Sequence, residues 1–240
     1  MSAVTLKGLK IGYKVRRKQF NIVSDDLNVT FPSGKISVII GESGCGKTSI
    51  LRTIAGILAP LDGQIFFDDI DVTRYEPGSR NISYVSQMIG LYTNLSVFNN
   101  VAFPLRASHT PSDEIRERVL EVTDMMKISH CLSRKPKELS IGQAQRVAIA
   151  RAIVKRSIVY LMDEPFSNID KSLSSELTIE LKQIFQRLNA TVIFVSHDVS
   201  EALTIADKVY VMSEGNFIYQ GTPEGILKSK DERIIRLLDK

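Results

Sequence analysis

Short apolar runs alternate with amphipathic stretches along most of the chain, and the two periods predict where strands and helices lie. Residues 35–40 (KISVII), 158–162 (IVYLM) and 191–195 (TVIFV) are compact, β-branched and without polar alternation. Runs of this kind belong to strands buried on both faces of a parallel sheet. The N-terminal third reads as short strands, at residues 28–31, 64–67 and 82–85, with a turn at Pro32-Ser33-Gly34. A helix is expected over residues 47–57, after a glycine-rich loop, and an amphipathic one over residues 173–188. Residues 208–212 and 217–219, around Glu214-Gly215-Asn216, predict a hairpin.

The middle of the chain changes character. From about residue 99 to residue 155 the periodicity is helical and strand signal is scarce. Pro111-Ser112-Asp113 opens one helix, with Ser112 the expected N-cap before residues 114–126. A second helix starts at Ser140 and runs through Val147, Ala150 and Ile153. A helical module thus interrupts an α/β core.

Composition narrows the classes. The 240 residues are 43% apolar and 24% charged, as in an ordinary globular protein with a sizeable core. The net charge of +4 comes from 31 Lys+Arg against 27 Asp+Glu, scattered along the chain. No basic stripe marks nucleic acid as a partner. The densest basic run, Lys14-Val15-Arg16-Arg17-Lys18, is expected to be a solvated loop. Cys45 and Cys131 lack metal or disulfide spacing and fit a reducing compartment. No apolar run approaches the ~18 residues that span a bilayer, and no apolar leader is expected at the N-terminus. Work at a membrane would need other subunits to supply the span.

Candidate chemistry begins at Gly41-Glu42-Ser43-Gly44-Cys45-Gly46-Lys47-Thr48, which fits G-x-x-x-x-G-K-[ST] between an apolar strand and a helix. Glycines allow backbone N–H groups to approach phosphate oxygens without a Cβ in the way. The helix N-terminus adds unpaired donors, Lys47 a point charge and Thr48 a hydroxyl suited to Mg²⁺, with Ser49 next in the helix. Further on, the apolar run 158–162 ends in Asp163-Glu164. Asp163 at the strand end suits Mg²⁺ through its water shell, and Glu164 is the candidate base for an attacking water. Taken alone, the two acids could equally begin a surface loop.

Leu139-Ser140-Ile141-Gly142-Gln143 resembles the LSGGQ signature of ATP-binding-cassette (ABC) proteins, and it lies upstream of Asp163 inside the helical module. Gln87 resembles the Q-loop glutamine, Ser167-Asn168-Ile169-Asp170 the D-loop, and His197 in Ser196-His197-Asp198 the switch histidine. These elements stand in the order and spacing of an ABC nucleotide-binding domain and cover nearly the whole chain. The resemblance implies an α/β fold: a P-loop NTPase core with an N-terminal antiparallel β subdomain and an inserted α-helical signature subdomain. Residues 1–87 and 156–240 would form the core and 88–155 the helical part. It implies ATP and Mg²⁺ as ligands, with Thr48, Gln87 and Asp163 toward the metal and Glu164, His197 and Gln87 serving hydrolysis. Tyr13 would stack on adenine; the alternative is a surface tyrosine of a sheet. Ser140, Gly142, Gln143 and Asp170 would meet the nucleotide of a second cassette, paired head to tail. Ile141 departs from the usual glycine, which leaves Ser140 and Gly142 in place but bears on how closely that dimer contact forms.

A single short cassette, without a coiled coil between Gln87 and Ser140, resembles transporter motors more than soluble ABC ATPases that act on nucleic acid or ribosomes. Intact Lys47, Asp163, Glu164 and His197 speak against a degenerate partner. Residues 88–106 (MIGLYTNLSVFNNVAFPLR) resemble importer subunits of the sugar, polyamine and anion group; an exporter motor is the alternative. That segment would present exposed apolar residues, such as Leu91, Tyr92 and Val97, to a transmembrane permease subunit. An external solute-binding protein would act through the permease, and the expected location is the cytoplasmic face of the membrane. The chain ends soon after Gly221-Thr222-Pro223-Glu224, so the regulatory extension of many relatives is expected to be absent.

Overall fold

The computed structural model describes residues 2–16 and 19–239. In chain order come β1 (Val4–Arg16), β2 (Gln19–Phe31), β3 (Ile36–Gly41), α1 (Lys47–Ile54), β4 (Asp62–Phe67), β5 (Ile70–Asp71) and β6 (Ile82–Val85). The helices α2 (Val97–Ala107), α3 (Ser112–Met125) and α4 (Ile141–Ile153) follow. Then come β7 (Val159–Asp163), α5 (Lys171–Arg187), β8 (Thr191–Val195), α6 (Val199–Ile205), β9 (Lys208–Ser213), β10 (Asn216–Gly221), α7 (Pro223–Ile226) and α8 (Glu232–Leu238).

Two sheets result. An antiparallel one has the order β2-β1-β4-β5, and a larger one the order β10-β9-β3-β8-β7-β6. In the larger sheet β9, β3, β8, β7 and β6 run parallel, with β10 antiparallel at one edge. Every residue of β3, β7 and β8 is buried, which explains their unbroken apolar runs. The period of two sorts these side chains onto two faces. Ile36, Val38, Ile40, Tyr160, Met162, Val192 and Phe194 join a core with the inserted helices and α5. Ile39, Val159, Leu161, Ile193 and Val195 join a second core, with α1 and the antiparallel sheet.

Local chemistry explains the punctuation. Glu214 (φ 46°) and Gly215 (φ 78°) occupy the left-handed region that a tight β9–β10 hairpin requires. Ser96 caps α2 by accepting Asn99 N–H. Pro104 lies inside α2.

Several expectations are corrected. The N-terminal strands β1 and β2 are long, at 13 residues each, rather than short. Lys14–Arg16 continue β1 opposite β2 instead of forming a solvated loop; Arg17 and Lys18 lie outside the described residues. The charges at Lys14 and Arg16 read as loop, although the backbone there pairs with β2 and leaves Val15, Phe20 and Ile22 exposed. Ser112 is the first helical residue of α3 and does not cap it. Pro111 holds the N-cap position at φ −58°, ψ 146°, the extended geometry proline prefers, and Asp113 and Glu114 supply first-turn negative charge. Val97 is fully buried rather than part of an exposed patch, because it begins α2 on its core face. Helix α1 ends at Ile54, shorter than expected. No helix among the described residues is long and apolar enough to cross a membrane.

Candidate functional site

The glycine loop leaves β3 at Gly41 and enters α1 through Gly46, whose φ of 112° suits glycine. A Cβ there would meet Val23 Cγ1 at 2.6 Å and Met212 Cε at 2.8 Å, so both backbone angle and space exclude larger residues. With glycine at the N-cap, no side chain caps α1, and its first N–H groups face the loop. Lys47 lies 5% exposed, and its ammonium donates to Gly41 O at 2.8 Å and Glu42 O at 2.9 Å. Cys45 Sγ stands 3.9 Å from that ammonium. Burial pushes the Cys45 thiol up, against the pull of Lys47.

Asp163 continues the alternation of β7 that places Val159 and Leu161 toward α1. Its carboxylate, 3% exposed, accepts from Thr48 Oγ1 at 2.8 Å on one oxygen and from the Tyr84 hydroxyl at 2.7 Å on the other. Burial first, and then the Asp163 carboxylate, push the Tyr84 phenol above its ordinary range, while the positive charge of Arg52 opposes this. Asp163 is thus held by two hydroxyl donors, one from α1 and one from β6. Tyr84, Arg52, Ser196 and Glu201 were not singled out in the sequence.

Glu164 leaves the strand with φ 46°, an uncommon value for a non-glycine residue and one found at functional turns. Its N–H donates to Val195 O at 3.0 Å, which anchors the turn on β8. His197 Nδ1 lies 3.0 Å from Glu164 Oε2, and Gln87 Nε2 approaches the same oxygen at 3.5 Å. An ionised carboxylate only accepts, so this contact calls for the tautomer with a hydrogen on Nδ1 when Glu164 carries its charge. Asn168 Nδ2 donates to Gln87 O at 3.1 Å, which ties residues 167–170 to the strand-end glutamine.

Other candidate residues stand apart from this cluster. Tyr13 on β1 is 37% exposed, and its hydroxyl lies 3.0 Å from Ser49 Oγ on α1. Ser140 caps α4: its Oγ accepts Gln143 N–H at 3.2 Å, and Gln143 Oε1 accepts Ser140 N–H at 3.1 Å. Gln143 thereby commits its side-chain oxygen to its own helix. Gly142 packs on α5, where a Cβ would meet Leu173 Cδ2 at 2.7 Å. Asp170 occupies the N-cap position of α5 without a side-chain cap bond. A cleft of about 790 Å³ borders the glycine loop only at Gly41, Glu42 and Ser43, then runs past His197 to Leu237 and Leu238.

The family profile described as ABC transporter matches residues 24–167. The chain belongs to the ABC transporter family. The matched stretch holds the glycine loop, Gln87, the Ser140 cap, Asp163 and Glu164, and stops before Asp170 and His197. An sn-glycerol-3-phosphate import ATP-binding protein, UgpC of Psychromonas ingrahamii, is 40% identical over 93% of this chain and 59% of its own length. A spermidine/putrescine import ATP-binding protein, PotA of Mannheimia succiniciproducens, is 41% identical over 93% of this chain and 58% of its own. A trehalose/maltose import ATP-binding protein, MalK of Thermococcus litoralis, is 41% identical over 84% and 56%. The chain therefore spans 56–59% of the length of these curated relatives.

Solved ABC structures share the fold. A dimeric post-hydrolysis state of the ATP-binding cassette MJ0796, bound to ADP and Pi, superposes with TM-score 0.81 at 26% identity, over 92% of this chain and 98% of that one. The cbiO1 structure from Clostridium perfringens, part of the ABC transporter complex cbiONQ, gives TM-score 0.84 at 28% identity, over 98% and 94%.

Proposed function

We propose that this chain binds ATP with Mg²⁺ at the glycine loop and hydrolyses it to power solute uptake, as the motor cassette of an ABC importer. The observation that carries this reading is the meeting of Thr48, Asp163, Glu164 and His197 at the ends of adjacent strands beside the loop. The donor set fits the metal: a hydroxyl and a carboxylate oxygen 2.8 Å apart are hard ligands, and Mg²⁺ keeps its remaining positions for water and phosphate. Thr48 and Asp163 would hold the ion, with Gln87 at its outer side. Bound there, Mg²⁺ supplies charge neutralisation and polarisation of phosphate oxygens.

The chain's own groups divide the remaining work. Lys47 and the α1 N-terminus bind phosphate oxygens. Gly41 through Ser49 shape the cradle, and Tyr13 offers its half-exposed ring to the adenine. Glu164 orients and deprotonates the attacking water. His197 keeps Glu164 in place through Nδ1. Its Nε2 donates to a phosphate oxygen only as the imidazolium, because the neutral ring with Nδ1–H has Nε2 as an acceptor.

A second cassette completes the site. Ser140, Gly142 and Gln143 at the α4 N-terminus, with Asp170, face the nucleotide of the opposite copy, and residues 88–155 act as the helical subdomain against the core of 1–87 and 156–240. A cleft of about 490 Å³ lined by Tyr92, Phe103 and Arg151 suits a permease helix at the cytoplasmic face of the membrane. Tyr92 and Phe103 pack with ring centroids 4.5 Å apart and planes tilted by 39°, and both stay 41% exposed. An external solute-binding protein would deliver the solute through that permease. The import names of the relatives support uptake over export.

Equilibrium binding of Mg·ATP and phosphate release by the purified chain, alone and with its permease, test the reading. Lys47→Ala should abolish both. A wild-type chain that neither binds Mg·ATP nor releases phosphate in either setting would overturn it.

A further inference from the structure

We propose that Glu201 is a positioning residue for His197, acting through the Ser196 hydroxyl on the turn that carries the histidine. The inference rests on the reading that His197 serves hydrolysis. Ser196, His197 and Asp198 join β8 to α6, and Ser196 is 1% exposed. Asp198 N–H donates to Ser196 Oγ at 3.0 Å, and Asp198 Oδ1 accepts Glu201 N–H at 3.1 Å, capping α6. The Ser196 hydroxyl then has two acceptors within reach: Asp198 O at 3.3 Å and Glu201 Oε2, the closer of the two.

A hydroxyl has one proton, so the charge state of Glu201 decides which bond it makes. When Glu201 is ionised, the proton goes to the carboxylate in a charge-assisted bond. When Glu201 is protonated, its own O–H donates to Ser196 Oγ and the serine hydroxyl turns to donate to Asp198 O. The two arrangements hold the same turn with different bonds, one residue from the histidine that touches Glu164.

The surroundings make that choice responsive. On α5, Thr178 Oγ1 donates to Glu201 Oε1 at 3.5 Å. From the turn, Asp198 raises and His197 lowers the Glu201 proton affinity. Lys171, at the start of α5, holds its ammonium 3.9 Å from Asp198. Burial outweighs these and pushes the carboxyl up to about 7. No step of the hydrolysis described above uses this group. Its contacts are with Ser196, Asp198 and Thr178, so it acts through the turn and not on the reacting atoms.

The test compares Glu201→Gln, Glu201→Ala, Ser196→Ala and His197→Ala in the purified chain. Steady-state hydrolysis is followed from about pH 6 to about pH 8, with the His197 ring resonance observed by NMR. Glu201→Gln should keep kcat within about twofold, since its amide oxygen accepts from Ser196; the His197 resonance, expected to follow a second titration near neutrality beside its own in the wild type, should follow its own alone in this variant. Glu201→Ala should lower kcat roughly tenfold, leave KM for Mg·ATP within about twofold, and move the His197 resonance. If Glu201→Ala does not fold, Ser196→Ala should show the same kcat-specific loss. Wild-type kcat in the alanine variants, or a matched fall in kcat and rise in KM, would overturn the inference. Wild-type kcat in His197→Ala would instead overturn the reading of His197 itself.

Discussion

The Thr48 hydroxyl donates to Asp163 Oδ1 at 2.8 Å, across 115 positions of sequence. This bond joins the first turn of α1 to the end of β7. It sets two oxygens side by side before any ion arrives, which would lower the cost of assembling the proposed Mg²⁺ site. Asp163→Asn should therefore lower Mg²⁺-dependent hydrolysis by ~10²-fold or more while leaving metal-free ATP binding within a few-fold. Tyr84→Phe removes the second donor to the same carboxylate. It should cost about 1 kcal/mol of stability and raise the Mg²⁺ concentration for half-maximal rate. Metal titrations of hydrolysis, with a denaturant curve for each variant, check both.

Glu164→Gln keeps the size of the side chain and removes its basicity. Hydrolysis should fall by ~10²–10³-fold, while Mg·ATP binding persists. Size-exclusion chromatography with ATP should then show a longer-lived dimer than the wild type. Turnover near the normal rate would mean that another group activates the water.

Gly46→Ala tests the backbone of the loop. The φ of 112° and the approach of Val23 and Met212 leave no strain-free place for a methyl group. A destabilisation of ~1–3 kcal/mol is expected, read as a lower melting temperature by roughly 2–4 °C per kcal/mol in a chain of this size. Phosphate affinity should fall with it.

Ile141→Gly addresses the departure in the signature. Ile141 is the first residue of α4 and 50% exposed, so the change removes little packing. Hydrolysis should stay at the wild-type rate or rise. A large loss of turnover would show that the role given to the α4 N-terminus is wrong.

Glu201 also predicts how stability depends on pH. Its carboxyl is raised from the ordinary value of 4.5 to about 7, mainly by burial. Between those values the folded chain binds more protons than the unfolded chain, so this group's contribution is full below about pH 4.5 and is lost as pH rises through about 7. Glu201→Gln should flatten that decline. Melting temperatures of wild type and variant across this range would show the slope removed, and equal slopes would sink the idea.

Much of the sheet was legible in the sequence. β3, β7 and β8 are buried on both faces, so their runs need no alternation and stand out against the polar segments around them. β6 and the β9–β10 hairpin were legible for similar local reasons. The β1–β2 ribbon was not, because its tip faces solvent and is held by backbone pairing with charged residues among its members, which no burial pattern marks. The cap of α3 was misplaced by one residue, since serine and proline both suit a helix start. Val97 looked available to a partner because a single apolar residue at a helix start does not say which face will be covered.

What the sequence determined by itself was the chemistry in order: a glycine cradle with Lys47 and Thr48, a strand ending in Asp163-Glu164, a serine-capped helix and a lone His197 after a strand. Each depends on residues within a few positions of one another, which local pattern records. Only the tertiary structure decided that Tyr84 and Arg52 stand behind Asp163, that Glu164 is shared by His197 and Gln87, and that Glu201 reaches Ser196 from inside α6. Those contacts follow from the strand order β10-β9-β3-β8-β7-β6, which places β7 between β6 and β8. Crossover connections set that order, and side-chain packing across the sheet fixes it; neither leaves a periodic trace in any short stretch of the chain.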